Sequence, residues 1–143
     1  MLIHGRCQCG NIAFTLRWEP DPDEIPARAC DCSFCVSHGG VWTSHPAAVL
    51  KILVGDSALV SRRAFGTRTA EFHVCVRCGV VPVVTSLIDG WLYAVVNVNA
   101  FEGVDPSLLR HVSAHRDDET REDRLARRKR YWIADVDYLE MEP

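Results

Sequence analysis

Seven cysteines in this 143-residue chain fall into three groups, Cys7-Gln8-Cys9-Gly10, Cys30-Asp31-Cys32-Ser33-Phe34-Cys35 and Cys75-Val76-Arg77-Cys78-Gly79. Close-set thiols with no isolated member are a metal-ligand pattern. Zinc–sulfur bonds of about 2.3 Å at tetrahedral angles put the sulfurs of one site roughly 3.8 Å apart. Residues i and i+2 of a flat strand are separated by almost 7 Å, about twice the rise per residue. Cys7 and Cys9 therefore need a sharp bend, which Gly10 supplies, and Gly79 follows Cys78 in the same way. The two glycine-ended clips together offer four thiolates, Cys7, Cys9, Cys75 and Cys78, enough to close a structural zinc site. The middle group offers three, Cys30, Cys32 and Cys35, which cap one face of an ion and leave a position open, the usual catalytic arrangement. A thiol substrate entering that position would be deprotonated by the metal and become a positioned nucleophile for a carbonyl carbon. The cofactors expected are thus two zinc ions, one structural and one catalytic. Three other arrangements of the same thiols stay open: a remote residue closing the second site, a metal-free redox-active group, or cysteines buried as small hydrophobes.

Other side chains carry weaker signals. His38, three residues past Cys35, is close enough for a fourth ligand or a proton shuttle, although a surface histidine before Gly39 accounts for it as well. Asp31 reads as an acceptor beside the metal loop or simply as solvated, and Ser33 as a cap of a short turn. Phe34, Trp42 and Trp91 are possible pocket walls, but aromatics in a small β domain more often pack the core. His73 precedes the last clip in a strand and could face either way. His4, His45, His111 and His115 have no spacing that pairs them with a cysteine group. Arg127-Arg128-Lys129-Arg130 is balanced by Asp117, Asp118, Glu119, Glu122 and Asp123, and Asp123 and Arg127 are spaced to pair on one face. The expectation is a solvated, self-neutralising helix rather than a nucleic-acid patch.

The elements that must position these groups are mostly strands. Residues 10–18 alternate apolar and polar, as a half-buried strand does. The acidic, proline-rich stretch 19–26 reads as a loop delivering the chain to Cys30. Short strands are expected at 41–43 and 49–54, and residues 59–65 and 69–74 form a hairpin across Gly66-Thr67. A valine-rich strand over 80–86 follows, in which Pro82 points to a sheet edge. Asp89-Gly90 turns the chain into a returning strand over 91–96. Residues 117–130, with acids first and bases last, suit a helix and its dipole.

Length and composition fit one domain, 1–143, with no repeat or linker. The net charge of −3 gives no general attraction to nucleic acid. No apolar run approaches the roughly 20 residues that span a bilayer, and no basic and apolar leader opens the chain, so a cytoplasmic protein without membrane contact is expected. In that reducing compartment close-set cysteines favour metal over disulfides.

In its order C-x-C-G, C-x-C-S-x-C, C-x-x-C-G and in the intervals between, the chain resembles the glutathione-dependent formaldehyde-activating enzyme family, whose relatives include centromere protein V. The resemblance runs on through 50–55, 72–79 and Val96-Asn97-Val98, covering most of residues 5–105, with 106–143 as a C-terminal helical extension. It implies a mainly β, zinc-stabilised β-tent domain of antiparallel sheet. It implies a structural zinc on Cys7, Cys9, Cys75 and Cys78, and a catalytic zinc on Cys30, Cys32 and Cys35. The implied activity is that of a carbon–sulfur lyase joining glutathione, or a similar small thiol, to formaldehyde or another small aldehyde, giving S-hydroxymethylglutathione. Where members often have His between the first two cysteines of the middle group and basic residues after the third, this chain has Asp31 and Val36-Ser37, so the glutathione carboxylates lose an obvious partner. A non-catalytic zinc-stabilised binding module is the alternative, and it would need the middle group fully closed. A methionine-sulfoxide-reductase-like enzyme fits less well, since such enzymes pair two C-x-x-C clips and this chain has one.

Overall fold

A computed structural model describes residues 1–141. The chain forms β1 (Leu2–Arg6), β2 (Ile12–Arg17), β3 (Ile25–Cys30), α1 (Ser33–His38), β4 (Val41–Thr43), β5 (Val49–Val54) and β6 (Val60–Arg63). It continues through β7 (Glu71–Cys75), β8 (Val83–Ile88), β9 (Trp91–Asn97), β10 (Phe101–Glu102), β11 (Leu109–Ala114), α2 (Arg121–Tyr131) and β12 (Asp135–Glu140). The fold is mainly β with a C-terminal helix. Its strands make two sheets, one of five strands in the order β10-β1-β2-β5-β12 and one of seven in the order β11-β3-β4-β9-β8-β7-β6.

Alternation builds the core. Ile12, Phe14 and Leu16 of β2 and Leu50, Ile52 and Val54 of β5 are buried on one face, paired antiparallel with Phe14 opposite Ile52. They pack with Ile25, Val83, Ala94 and Val96 of the larger sheet in a single buried cluster that also contains Cys7 and Cys75. At about 25 cal/mol per Å² of apolar area removed from water, this burial favours the folded state.

Several sequence expectations shift. The interior pairs are antiparallel, but both sheets are mixed, because β11 runs parallel to β3 and β12 parallel to β5, each on a sheet edge. Both strands come from the segment after residue 105, which is helical only over α2. Residues 25–30, whose first part reads as loop in sequence, are strand β3, with Ile25 and Ala27 buried. Pro82 does not mark a sheet edge: β8 lies between β7 and β9. The proline stands just before the strand, where its missing N–H is not needed, and its carbonyl accepts from Asn97 N at 2.8 Å. Asp89 and Gly90, with φ of 53° and 78°, make the expected hairpin turn. Among the described residues no helix is long and apolar enough to cross a membrane.

α2 starts on Thr120, whose side chain accepts from Asp123 N, and ends in Arg128, Lys129 and Arg130, in accord with the helix dipole. Its charges do not pair as the spacing suggests. Arg127 binds Glu119 through two hydrogen bonds of 2.7 and 2.8 Å, rather than Asp123, Lys129 pairs with Asp89, and Arg128 is buried. The helix lies against the larger sheet, which removes one of its cations from solvent.

Candidate metal centres and cavity

The two glycine-ended clips are built alike. In the β1–β2 connection Cys7 N donates to Ile12 O at 2.8 Å and Gly10 N to Cys7 O at 3.0 Å; in the β7–β8 connection Cys75 N donates to Val80 O at 3.0 Å and Gly79 N to Cys75 O at 2.7 Å. Gly10 and Gly79 have φ of 84° and 79°, a conformation in which a side chain is disfavoured. The turns bring the four sulfurs within 4.8 Å of one another, with Cys7 to Cys9 at 3.7 Å and Cys9 to Cys75 at 3.4 Å. Those spacings suit the edges of a tetrahedral zinc site.

The electrostatics of the four thiols also fit a cation. Burial pushes Cys7 up to about 12. Burial also opposes the Cys78 thiolate, but backbone N–H groups of Cys9 and Val80 and the neighbouring thiols outweigh it and bring Cys78 down to about 6. One thiolate forms readily and discourages the next; a divalent ion at the centre removes that conflict. Because one clip belongs to each sheet, this group joins the two sheets at one end.

Cys30 ends β3, and α1 then places Cys32 as its N-cap and Cys35 in its first turn, so the expected tight loop is a short helix. Cys35 N donates to Cys32 Sγ at 3.4 Å, and Trp42 Nε1 to Cys35 Sγ at 3.4 Å. The three sulfurs lie within 4.8 Å of one another, and among the described residues no fourth His, Cys, Asp or Glu joins them. The neighbouring Cys35 thiol favours the Cys30 thiolate and brings it down to about 6, while Cys35 is raised, by the Cys30 thiolate and by burial.

The nearby candidates are engaged elsewhere. His38 stacks on Phe34 at 4.0 Å between ring centroids, with Nδ1 2.9 Å from Phe34 O. Asp31 turns outward to His115 Nδ1 at 2.7 Å, and its N–H donates to Ala114 O at 3.1 Å, tying the segment after β11 to the cysteine loop. Ser33 is the first residue of α1. His73 is buried, with Nε2 2.7 Å from Thr85 Oγ1. Trp91 is exposed at the β8–β9 turn and donates to Ala134 O at 2.6 Å.

A cavity of about 360 Å³ opens beside the three cysteines. Trp42, Phe65, Phe72 and Trp132 give it an apolar wall, and five arginines, Arg28, Arg116, Arg124, Arg127 and Arg128, give it a basic one. Of the aromatics singled out in the sequence, Trp42 lines the cavity, and Phe34 packs at 5.0 and 4.8 Å on Phe65 and Phe72. None of the arginines was marked as a site residue in the sequence. Arg28 had a usable signal, since it precedes Cys30 by two residues and so shares its face of β3.

The sequence profile of the glutathione-dependent formaldehyde-activating enzyme family matches residues 2–110. The chain belongs to this family. Among solved structures, a Rhodobacter sphaeroides protein determined as a structural-genomics target is 28% identical, with a TM-score of 0.54, over 73% of this chain and 92% of that one. No curated protein matches the chain. The family match takes in all seven cysteines and Arg28, whereas Arg116, α2 and β12 lie beyond it.

Gly40 leaves room for the three-cysteine group. A Cβ there would stand 2.9 Å from Cys35 Cβ, 2.9 Å from a Trp42 ring carbon and 3.1 Å from Cys35 Sγ. Gly40→Ala is expected to cost about 1–3 kcal/mol, as overpacking does, and to lower any metal binding at Cys30, Cys32 and Cys35 more than at the four-cysteine group. Thermal melting together with metal analysis checks both parts.

Proposed function

We propose that this single-domain chain is a zinc-dependent carbon–sulfur lyase of the glutathione-dependent formaldehyde-activating type. It would join a low-molecular-weight thiol to a small aldehyde at a catalytic zinc held by Cys30, Cys32 and Cys35, with a structural zinc on Cys7, Cys9, Cys75 and Cys78. The observation that carries this reading is the three-sulfur group, without a fourth protein ligand among the described residues, on the wall of a cavity. A zinc ion there would act as a Lewis acid that keeps an incoming thiol deprotonated. In the reaction the thiol sulfur forms a bond to the aldehyde carbon, the carbonyl π-bond opens, and the thiol proton ends on the carbonyl oxygen.

The chain's own groups support these steps. Trp42 holds Cys35 through its indole N–H, and such outer hydrogen bonds orient metal ligands. Trp42, Phe65, Phe72 and Trp132 line the cavity and would lower its polarity around a bound aldehyde. The basic wall restores partners for an anionic thiol that Val36 and Ser37 do not provide. The alternative of a closed binding module calls for a fourth ligand at the middle group.

Cobalt replacement tests the reading. The protein should hold two metals per chain, and addition of glutathione should shift the visible spectrum of one cobalt only. Formaldehyde should then be consumed with formation of the hydroxymethyl thioether. One metal per chain, or a spectrum indifferent to every small thiol tried, would sink the proposal.

A further inference from the structure

Arg128 of α2 is 6% exposed and lines the same cavity as the three cysteines. Its Nη1 donates to Thr69 Oγ1 at 2.7 Å and to Ser86 Oγ at 3.2 Å. The guanidinium lies 4.9 Å from the centre of the Trp132 ring, and Nε is buried without a partner. All these contacts are to neutral groups. Among the described residues no acid forms an ion pair with Arg128: Glu119 is bound to Arg127 and Arg124 instead. Burial, with Arg127 and Arg124 adding to it, lowers Arg128 to about 10, still charged at neutral pH.

A buried cation that cannot discharge is costly unless an anion faces it. Two further arginines of the cavity, Arg28 and Arg116, also have no ion-pair partner among the described residues. Arg28 is lowered by burial and then by Arg116, Arg127 and Arg110, so these cations repel one another. Among the described residues, exposed Asp117 is the one carboxylate residue on the cavity wall. Holding α2 against the sheet explains the hydrogen bonds to Thr69 and Ser86. It does not require a charge there, nor cations gathered on one cavity.

We infer that Arg128, with Arg28 and Arg116, forms an anion site, and that the molecule taken up beside Cys30, Cys32 and Cys35 carries a carboxylate that docks on these guanidiniums. The planar fork of a guanidinium matches the two oxygens of a carboxylate. Family membership does not assign the site, since Arg116 and Arg128 lie outside the matched residues 2–110. The identity of the ligand's other end rests on the thiol reading above; the anion site itself does not.

The test is calorimetric titration of the zinc-loaded protein with S-methylglutathione, which has both carboxylates and no free thiol, and with its dimethyl ester. The acid is expected to bind at least about tenfold more tightly than the ester, the scale of one charge-assisted hydrogen bond. R128M should remove most of that preference and leave the melting temperature unchanged or raised, because it no longer buries a charge. Equal binding of acid and ester by the unmodified protein, or no binding of the acid, overturns the inference whether or not the variant folds. So does an R128M protein that keeps the full preference or melts markedly lower. Inorganic phosphate binding as tightly as S-methylglutathione would assign the site to a free anion and also overturn it. A cobalt spectrum blind to thiols while S-methylglutathione still binds would reject the proposed reaction and leave the anion site standing; the reverse result would reject the anion site alone.

Discussion

Cys75→Ser is expected to unfold the protein rather than merely slow it. The four-cysteine group binds the β1–β2 clip of one sheet to the β7–β8 clip of the other, with Cys9 and Cys75 in contact across 66 residues of chain. Structural zinc sites contribute on the order of 10 kcal/mol or more to folding, against total domain stabilities of about 5–15 kcal/mol. With the proposed ion lost, the Cys7 thiolate would also be buried in the core without a compensating cation. Circular dichroism should show no cooperative melting transition, and metal analysis should show the structural ion lost. A variant melting within a few degrees of the parent would show that the apolar interface of Phe14, Leu50, Ile52 and Val96 holds the sheets together alone. Exhaustive chelation should act in two stages, with the three-cysteine metal released first because its open side admits the chelator.

Cys32→Ser should have the opposite profile, a folded protein without activity. Cys32 is the N-cap of α1 and accepts from Cys35 N; serine is among the best N-caps, so the local backbone should persist. On the proposed two-zinc reading, the metal at this group is expected to be lost, taking the zinc content from two to one. Removal of Lewis-acid assistance worth several kcal/mol, at about 1.36 kcal/mol per tenfold, predicts a rate lower by on the order of 10²–10³-fold. The measurement is hydroxymethyl thioether formation beside metal content and melting temperature. Full activity with one metal would place the chemistry elsewhere, and collapse of the fold would make this group architectural as well. Set beside Cys75→Ser, the variant separates the two groups by phenotype.

The grouping of the thiols into four and three was legible in the sequence because each short clip is local. The bends at Gly10 and Gly79 and the short turn of α1 lie within a few residues of the thiols they position, so spacing alone implies the geometry. Strands with one buried face, such as β2 and β5, were legible for the same reason: a period of two needs only the residues themselves. β11 and β12 were harder. Both are partly exposed edge strands with mixed residues, and their parallel pairing with β3 and β5 spans long separations that no local pattern encodes. α2 was recognisable from its charges, but the face it buries was not, since its densely charged sequence shows no apolar stripe over Arg128.

By itself the sequence determined that seven thiols divide into four and three, that glycine-ended clips shape the larger set, and that the framework is β with one late helix. Only the tertiary structure decided what surrounds the smaller set. It turned Asp31 and His38 away from the cysteines and left them without a fourth protein ligand among the described residues. It also folded the segment after residue 105 back along β3, bringing Arg116 and Arg128 beside Arg28 at the same cavity. The physical reason is range. Metal-clip geometry is set by bond lengths and turns over a few residues, whereas the charge of a cavity is the sum of groups from distant segments and exists only once the sheets have closed.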